Sequence, residues 1–376
     1  MRTNIIVSFL IALTFCEGAI WKIATVTSGQ HSIPAGKYNG AATAIGNSVA
    51  VLGGYQLCNT SDGENIFDPK IHFFNVNTGV WSTPETHGYQ PGNRSNFGFV
   101  SHAATNSDFI YGGTTVICGL IPVALFGDFI RFNRNTNTYT NIVLSVNPGI
   151  RVGPSMVIVG DFIYLQGGLD GSFNGLNDVW RYSIYANIWE QLTNNTAGSY
   201  DAPGSAPGAR FDAPFTYVEE ENSIYLHNGD FPPLASFVYN LTDIWRFKLA
   251  SNTWEFVSGN ALSDRTATAE GTVGCYLVSF GGDISFGDRC LNNLTGNGDN
   301  ATIVTSIYDV RYNNREFVPV SVDDHLIHPL KGMSYAMVGT KLYVIGGYYF
   351  DCVLGEGTGF YLWNSQVWYL DLATLL

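Results

Sequence analysis

Six cations recur at a near-constant distance ahead of a glycine pair: Lys37, Arg94, Arg151, Arg210, Arg265 and Lys331, each 15 to 18 residues upstream. A guanidinium is a planar fork that holds a carboxylate or phosphate through two parallel hydrogen bonds. Gathered on one surface, six such charges repel. Two of them about 10 Å apart cost roughly 0.4 kcal/mol in water and about 1.7 kcal/mol at an effective dielectric of 20. Two chemistries can answer that cost. Either the chain supplies its own carboxylates and carbonyls and the cations are structural, or they form a positive mouth for an anionic ligand. Other reactive patterns are poor. His325-x-x-His328 has no third ligand in evidence and the zincin pattern is absent. Glu219-Glu220-Glu221 reads as an exposed turn. Asp62, Glu64, Asp283, Asp288, Asp299 and Glu356 lack calcium-loop spacing. With no nucleophile elbow, phosphate loop or Cys-x-x-Cys, the sequence assigns no catalytic residue, no metal and no cofactor.

The cations keep step with two other markers. Short β-branched or aromatic runs end in Gly53-Gly54, Gly112-Gly113, Gly167-Gly168, Asn228-Gly229, Gly281-Gly282 and Gly346-Gly347, at intervals of 53 to 65 residues. Large aromatics follow at Trp81, Tyr139, Trp189, Trp254 and Phe317, clearest in Asp178-Val179-Trp180 before Trp189 and Asp243-Ile244-Trp245 before Trp254. Three markers in phase over six units fit one four-stranded sheet per repeat. Composition agrees: 42 glycines, 14% aromatic and 13% charged residues, with no sustained 3.6-residue apolar period, describe an all-β chain with many turns.

In these residues the chain resembles the kelch family, whose pattern is an Arg-led inner strand, a hydrophobic strand ending in Gly-Gly, and a later strand with a distal Trp. It departs where Asn228 replaces a glycine, Tyr139 and Phe317 replace a Trp, and Lys replaces Arg at both ends. The resemblance implies a six-bladed β-propeller of four-stranded antiparallel blades. The sixth unit ends at Val367-Trp368-Tyr369-Leu370 with no outer strand after it, so residues 19–23, around Trp21, are expected to complete the last blade. In this topology the six cations and the loops after Gly-Gly share one face. Those loops, at 55–71, 114–127, 283–305 and 348–365, are long and varied, as binding surfaces on rigid scaffolds are.

The ends and the cysteines suggest a compartment. Residues 1–18 read as a signal peptide, with an apolar run of 11 residues that is too short to span a bilayer; residues 19–376 then form one domain. Sequons at Asn59, Asn93, Asn194, Asn240, Asn293 and Asn300 suit a secreted glycoprotein. Cys58, Cys118, Cys290 and Cys352 fall in the post-Gly-Gly loops. Adjacency in the ring favours Cys58–Cys118 and Cys290–Cys352, leaves Cys58–Cys352 open, and leaves Cys275 unpaired; free thiols are the alternative. A net charge of −13 argues against nucleic acid, and no stretch is long enough for membrane insertion. The expected function is an extracellular, monomeric, non-enzymatic module. It would dock a protein or glycan on the loop face, partly through the six cations. A sugar-acid mutarotase or epimerase is the enzymatic alternative, and a disulfide-linked coat or matrix protein the structural one.

Overall fold

The strand that ends in each glycine pair is buried along nearly its whole length because both its faces are covered. Ser223–His227 is buried at every residue, and Tyr276–Phe280 and Lys341–Ile345 at all but the first. The computed structural model describes residues 20–27, 37–56, 66–117, 121–196, 205–231, 239–259, 265–266, 268–284, 304–312, 314–319, 321–322, 330–352, 359–373 and 376. These strands are the second members of six antiparallel sheets, the blades of a propeller. Blade three is the most regular: inner strand Ser155–Val159, second strand Phe162–Leu169, third strand Gly175–Ser183, outer strand Ile188–Thr193. The inner strands of blades one to six begin at Ala41, Gly98, Ser155, Phe215, Ala269 and Ser334, and they pack in sequence around an axis until the sixth meets the first.

Closure of the ring uses the N-terminal strand. Ile20–Ile23 pairs antiparallel with Val367–Asp371, placing Trp21 opposite Leu370 and Ile23 opposite Trp368. Trp21 is fully buried. Its ring centroid lies 4.2 Å from that of Phe280 in blade five, and its Nε1 donates to Thr305 Oγ1 at 3.3 Å. The strand thus finishes blade six and seals it to blade five.

The core is a set of wedges between neighbouring blades. Trp81 fills the wedge between blades six and one, Tyr139 that between one and two, and Trp189 that between two and three. Each such ring buries on the order of 150–250 Å². Near the axis the blades are joined by main-chain hydrogen bonds. The second residue of the glycine pair donates to a carbonyl at the start of the next blade: Gly54 N to Arg94 O at 2.9 Å, Gly113 N to Arg151 O at 2.8 Å, Gly168 N to Arg210 O at 2.9 Å, Gly282 N to Leu330 O at 2.8 Å, and Gly347 N to Lys37 O at 2.8 Å. The first glycine must approach that carbonyl closely. At Gly112, φ is 68° and an added Cβ would lie 2.3 Å from the Arg151 oxygen, so both conformation and space require glycine. Asn228 takes the corresponding place in blade four with φ 52°.

Candidate functional site

Immediately after Lys37, Arg94, Arg151 and Arg210 the chain forms a short bridge to the residue that follows the glycine pair: Tyr38 with Tyr55, Ser95 with Thr114, Val152 with Leu169, and Phe211 with Asp230. The cations and the post-Gly-Gly segments therefore share one face. Several of the segments expected as loops are hairpins. Tyr55–Gln56 pairs with Ile66–Phe67, Tyr348–Cys352 with Gly359–Trp363, and the second and third strands of blade two run on to Ile117 and from Ile121.

Three arginines are built into clamps. Arg151 is 2% exposed; its Nε donates to Pro148 O at 3.0 Å, Nη1 to Gly167 O at 2.9 Å and to Asp178 Oδ1 at 2.6 Å, and Nη2 to Asp178 Oδ2 at 2.7 Å. Arg94 repeats the pattern with Gly112 O and Asp128, with its guanidinium 4.3 Å from the Phe126 ring centroid; Arg210 repeats it with Asn228 O and Asp243. Each arginine ties the start of the inner strand to the end of the second strand and to the third strand of its own blade. The Asp-x-Trp pattern has a physical basis here. Trp180 Nε1 donates to Asp178 Oδ2 at 2.8 Å and Trp245 Nε1 to Asp243 Oδ2 at 2.6 Å, so one carboxylate serves both partners. Burial alone would raise the Asp243 carboxyl, but the Arg210 charge and its hydrogen bonds outweigh burial and hold it below the ordinary carboxylate range.

The end blades differ. Lys37 Nζ lies 3.1 Å from Asp68 Oδ2, and His72 Nε2 lies 2.7 Å from the same oxygen. Burial lowers the Lys37 ammonium, with Asp68 opposing. Burial works to raise Asp68, but the His72 hydrogen bond and the Lys37 charge bring it below its ordinary value. In blade six the residue whose carbonyl receives the inter-blade bond is Leu330, one position before Lys331, and Lys331 is the residue bridged to Tyr348. The bond to the first glycine's carbonyl is made by Asn364, whose Nδ2 donates to Gly346 O at 2.9 Å. For Arg265 the backbone is described, in a short strand paired with Asp283–Ile284.

Among the other expected features, Cys275 has a free thiol in the turn on the opposite face, and burial raises its pKa. Cys58, Cys118 and Cys290 lie outside the described residues, as does the Cys352 side chain, so the pairings do as well. Residues 1–18, His325, His328, Asn59, Asn293 and Asn300 also lie outside them, while Asn93 and Asn194 are exposed.

One element of the loop face was not anticipated. Two residues after the cation position, the chain turns through the left-handed region at Asn39, Asn96, Gly153, Asp212 and Gly332, with φ between 50° and 63°. These residues form a chain of backbone hydrogen bonds around the axis: Asn39 N to Gly332 O, Asn96 N to Asn39 O, Gly153 N to Asn96 O, and Asp212 N to Gly153 O, all 2.8–3.1 Å. Their side chains form a second relay. Asn39 Nδ2 donates to Asn96 Oδ1 at 3.2 Å, and Asn96 Nδ2 to Asp212 Oδ2 at 2.7 Å. Below this mouth runs an axial cavity of about 290 Å³. Asn and Asp tolerate positive φ, so the turns favour polar residues at the mouth.

Six sheets around an axis, clamped by buried arginines and carrying hairpins on one face, define a β-propeller scaffold of the repeat-built kind. The KLHDC2/KLHL20/DRC7 Kelch-repeats domain matches residues 39–282, and the chain belongs to the kelch-repeat family. It is similar to Kelch domain-containing protein 3 of Bos taurus, 26% identical over 256 residues, which cover 66% of this chain and 62% of that protein. It is also similar to Host cell factor 1 of Homo sapiens, 23% identical over 93% of this chain and 17% of that protein. Rab9 effector protein with kelch motifs of Mus musculus is 36% identical over 97 residues, covering 26% of this chain and 23% of that protein. The aligned region thus spans less than two thirds of each of these relatives.

Proposed function

We propose that the chain is a protein-docking module whose partner sits on the face that carries the post-Gly-Gly hairpins. One observation carries this reading: hairpins of unequal length and sequence project from that face, and those of blades two, three and four are rooted beside an arginine clamp that fixes the base. Rigid roots with variable tips lower the ordering cost of binding. The clamps make an acidic partner a poor fit. Arg94, Arg151 and Arg210 are 1%, 2% and 0% exposed and spend their donors on their own blade, so they orient the hairpins. The apolar run behind Met1-Arg2 and the six sequons favour the secretory pathway as the place where this happens.

Site-specific photo-crosslinking tests the face. Phe173 is 43% exposed at the tip of the blade-three hairpin, and Tyr185 is 66% exposed at a turn on the opposite face. A benzoylphenylalanine at position 173 is expected to capture a specific partner from the source tissue, and one at position 185 is not. Capture from position 185 alone would reject the assignment of the face.

A further inference from the structure

The axial cavity has a composition that selects its contents. Among the described residues lining it are two carboxyl groups, Asp212 and Glu270, and no Lys, Arg or His. The rest of the wall is uncharged and mixed: Phe97, Phe99, Phe215, Met156, Met333 and Met337 supply apolar atoms, and the amides of Asn39 and Asn96 with the hydroxyls of Thr268 and Ser334 supply a polar share of similar size. A concave site with fixed polar groups converging beside apolar atoms is a form that small-molecule sites take.

The two carboxyls are held differently. Asp212 stands at the mouth, where Asn96 donates to Oδ2 while Oδ1 overlies Gly153, 2.6 Å from where a Cβ would sit. Glu270 is 4% exposed in the wall. Its Oε1 accepts from Thr268 and Ser279, its Oε2 has no hydrogen-bond partner, and the nearest ring nitrogen is His227 Nε2 at 3.6 Å. Tyr335 lies within electrostatic reach of both carboxyls. A desolvated acceptor is costly unless something positive or hydrogen-donating answers it; the raised Glu270 carboxyl keeps its own proton, which leaves Asp212, with the Asn96 amide and the Lys331 charge acting on it, as the carboxylate open to a cation. A hard metal ion prefers six or more oxygens, whereas aromatic and thioether faces favour an organic body.

We propose that the axial channel is a binding site for a small organic ammonium ion, its charged head at Asp212 within the Asn39–Asn96–Asp212 relay and its apolar body against the Phe and Met side chains. A cavity of about 290 Å³ stands at the small end of the range for small-molecule sites, which suits a body the size of an aryl-alkyl amine. Burial pushes Asp212 up to about 6, with the Asn96 hydrogen bond and the Lys331 charge opposing. The other ionisable groups that face it are the phenols of Tyr38, Tyr55 and Tyr335, which burial pushes upward, away from the neutral range. The site is therefore charged at pH 7.5 and mostly neutral at pH 5.

Calorimetric titration of the full chain with 2-phenylethylammonium, against the neutral isostere 2-phenylethanol, tests this. The amine is expected to bind at least tenfold more tightly than the alcohol at pH 7.5, and to lose about tenfold between pH 7.5 and pH 5 as Asp212 takes a proton. Asp212→Asn keeps the turn and the Asn96 partner, and is expected to abolish both the preference and the pH dependence. Thr216→Phe fills the lumen from the blade-four wall and is expected to abolish binding of both probes without lowering the unfolding temperature. Equal binding of amine and alcohol, unchanged selectivity in Asp212→Asn, or no heat of binding at millimolar amine in the folded protein would each overturn the proposal.

Discussion

Replacing Arg151 by Met separates the structural role of the cation ring from a ligand-binding one. The substitution keeps most of the aliphatic stem and removes four hydrogen bonds of 2.6–3.0 Å, two of them to Asp178. Asp178 is then left with the Trp180 indole as its one remaining donor among these, in a site where its side chain is 5% exposed. Breaking one half of a buried ion pair costs about 3–5 kcal/mol, whereas replacing both halves with apolar groups is often close to neutral. Arg151→Met should therefore lower unfolding free energy by about 3–5 kcal/mol, and Arg151→Met with Asp178→Leu should recover much of that loss. Urea denaturation followed by tryptophan fluorescence reads both, since Trp180 and Trp189 sit in the affected blade. A loss under about 1 kcal/mol for the single variant, or a double variant as unstable as the sum of its parts, would refute the clamp.

Other outcomes follow from the same geometry. Gly112→Ala should cost more than about 2 kcal/mol, because the methyl meets the Arg151 carbonyl, while Gly160→Ala, with φ 55° and nothing within 4 Å, should cost about 1 kcal/mol; urea midpoints compare them. Trp21→Ala should cost about 3–5 kcal/mol and expose blade six first, seen as protease cuts between residues 330 and 371. Burial pushes Glu270 up to about 8 and His227 down to about 3. Glu270 therefore stabilises the fold fully below its unfolded pKa and loses that contribution as pH rises through about 8. His227 contributes above its unfolded pKa and loses that contribution on acidification towards about 3. Between pH 6.5 and 8, above most of the Asp212 and His227 transitions, the Glu270 effect dominates, so stability should fall with rising pH by up to about 1.4 kcal/mol per unit, and Glu270→Gln should flatten most of the slope; pH-resolved urea titration measures this.

The repeat was legible because its markers are steric or electrostatic necessities. A glycine that must meet a carbonyl cannot change freely, and a buried guanidinium needs its fork. The carboxylate partners were not read from the sequence: Asp178 and Asp243 stood there only as the lead of an aromatic marker, and Asp128, which precedes Phe129, stood in no marker at all. In blade six the sequence reading counted Lys331 with the other cations, whereas it stands one place beyond the cation position, which is why its spacing of 15 is one residue short of the smallest elsewhere. Leu330 can stand there because the inter-blade bond uses its carbonyl, and Asn364 supplies the missing donor. The channel was not legible. Asn96 and Asp212 are 116 residues apart, and only the closed ring brings their side chains together, although both stand two residues after a cation.

The joints between blades are made of peptide N–H and C=O groups, which every residue but proline possesses. Away from the glycines and the clamps, mutation can rewrite a side chain and leave the joining atoms in place. That freedom suits a chain that matches its relatives at only 23–26% identity, and it lets the hairpin tips diversify without renegotiating the ring that carries them.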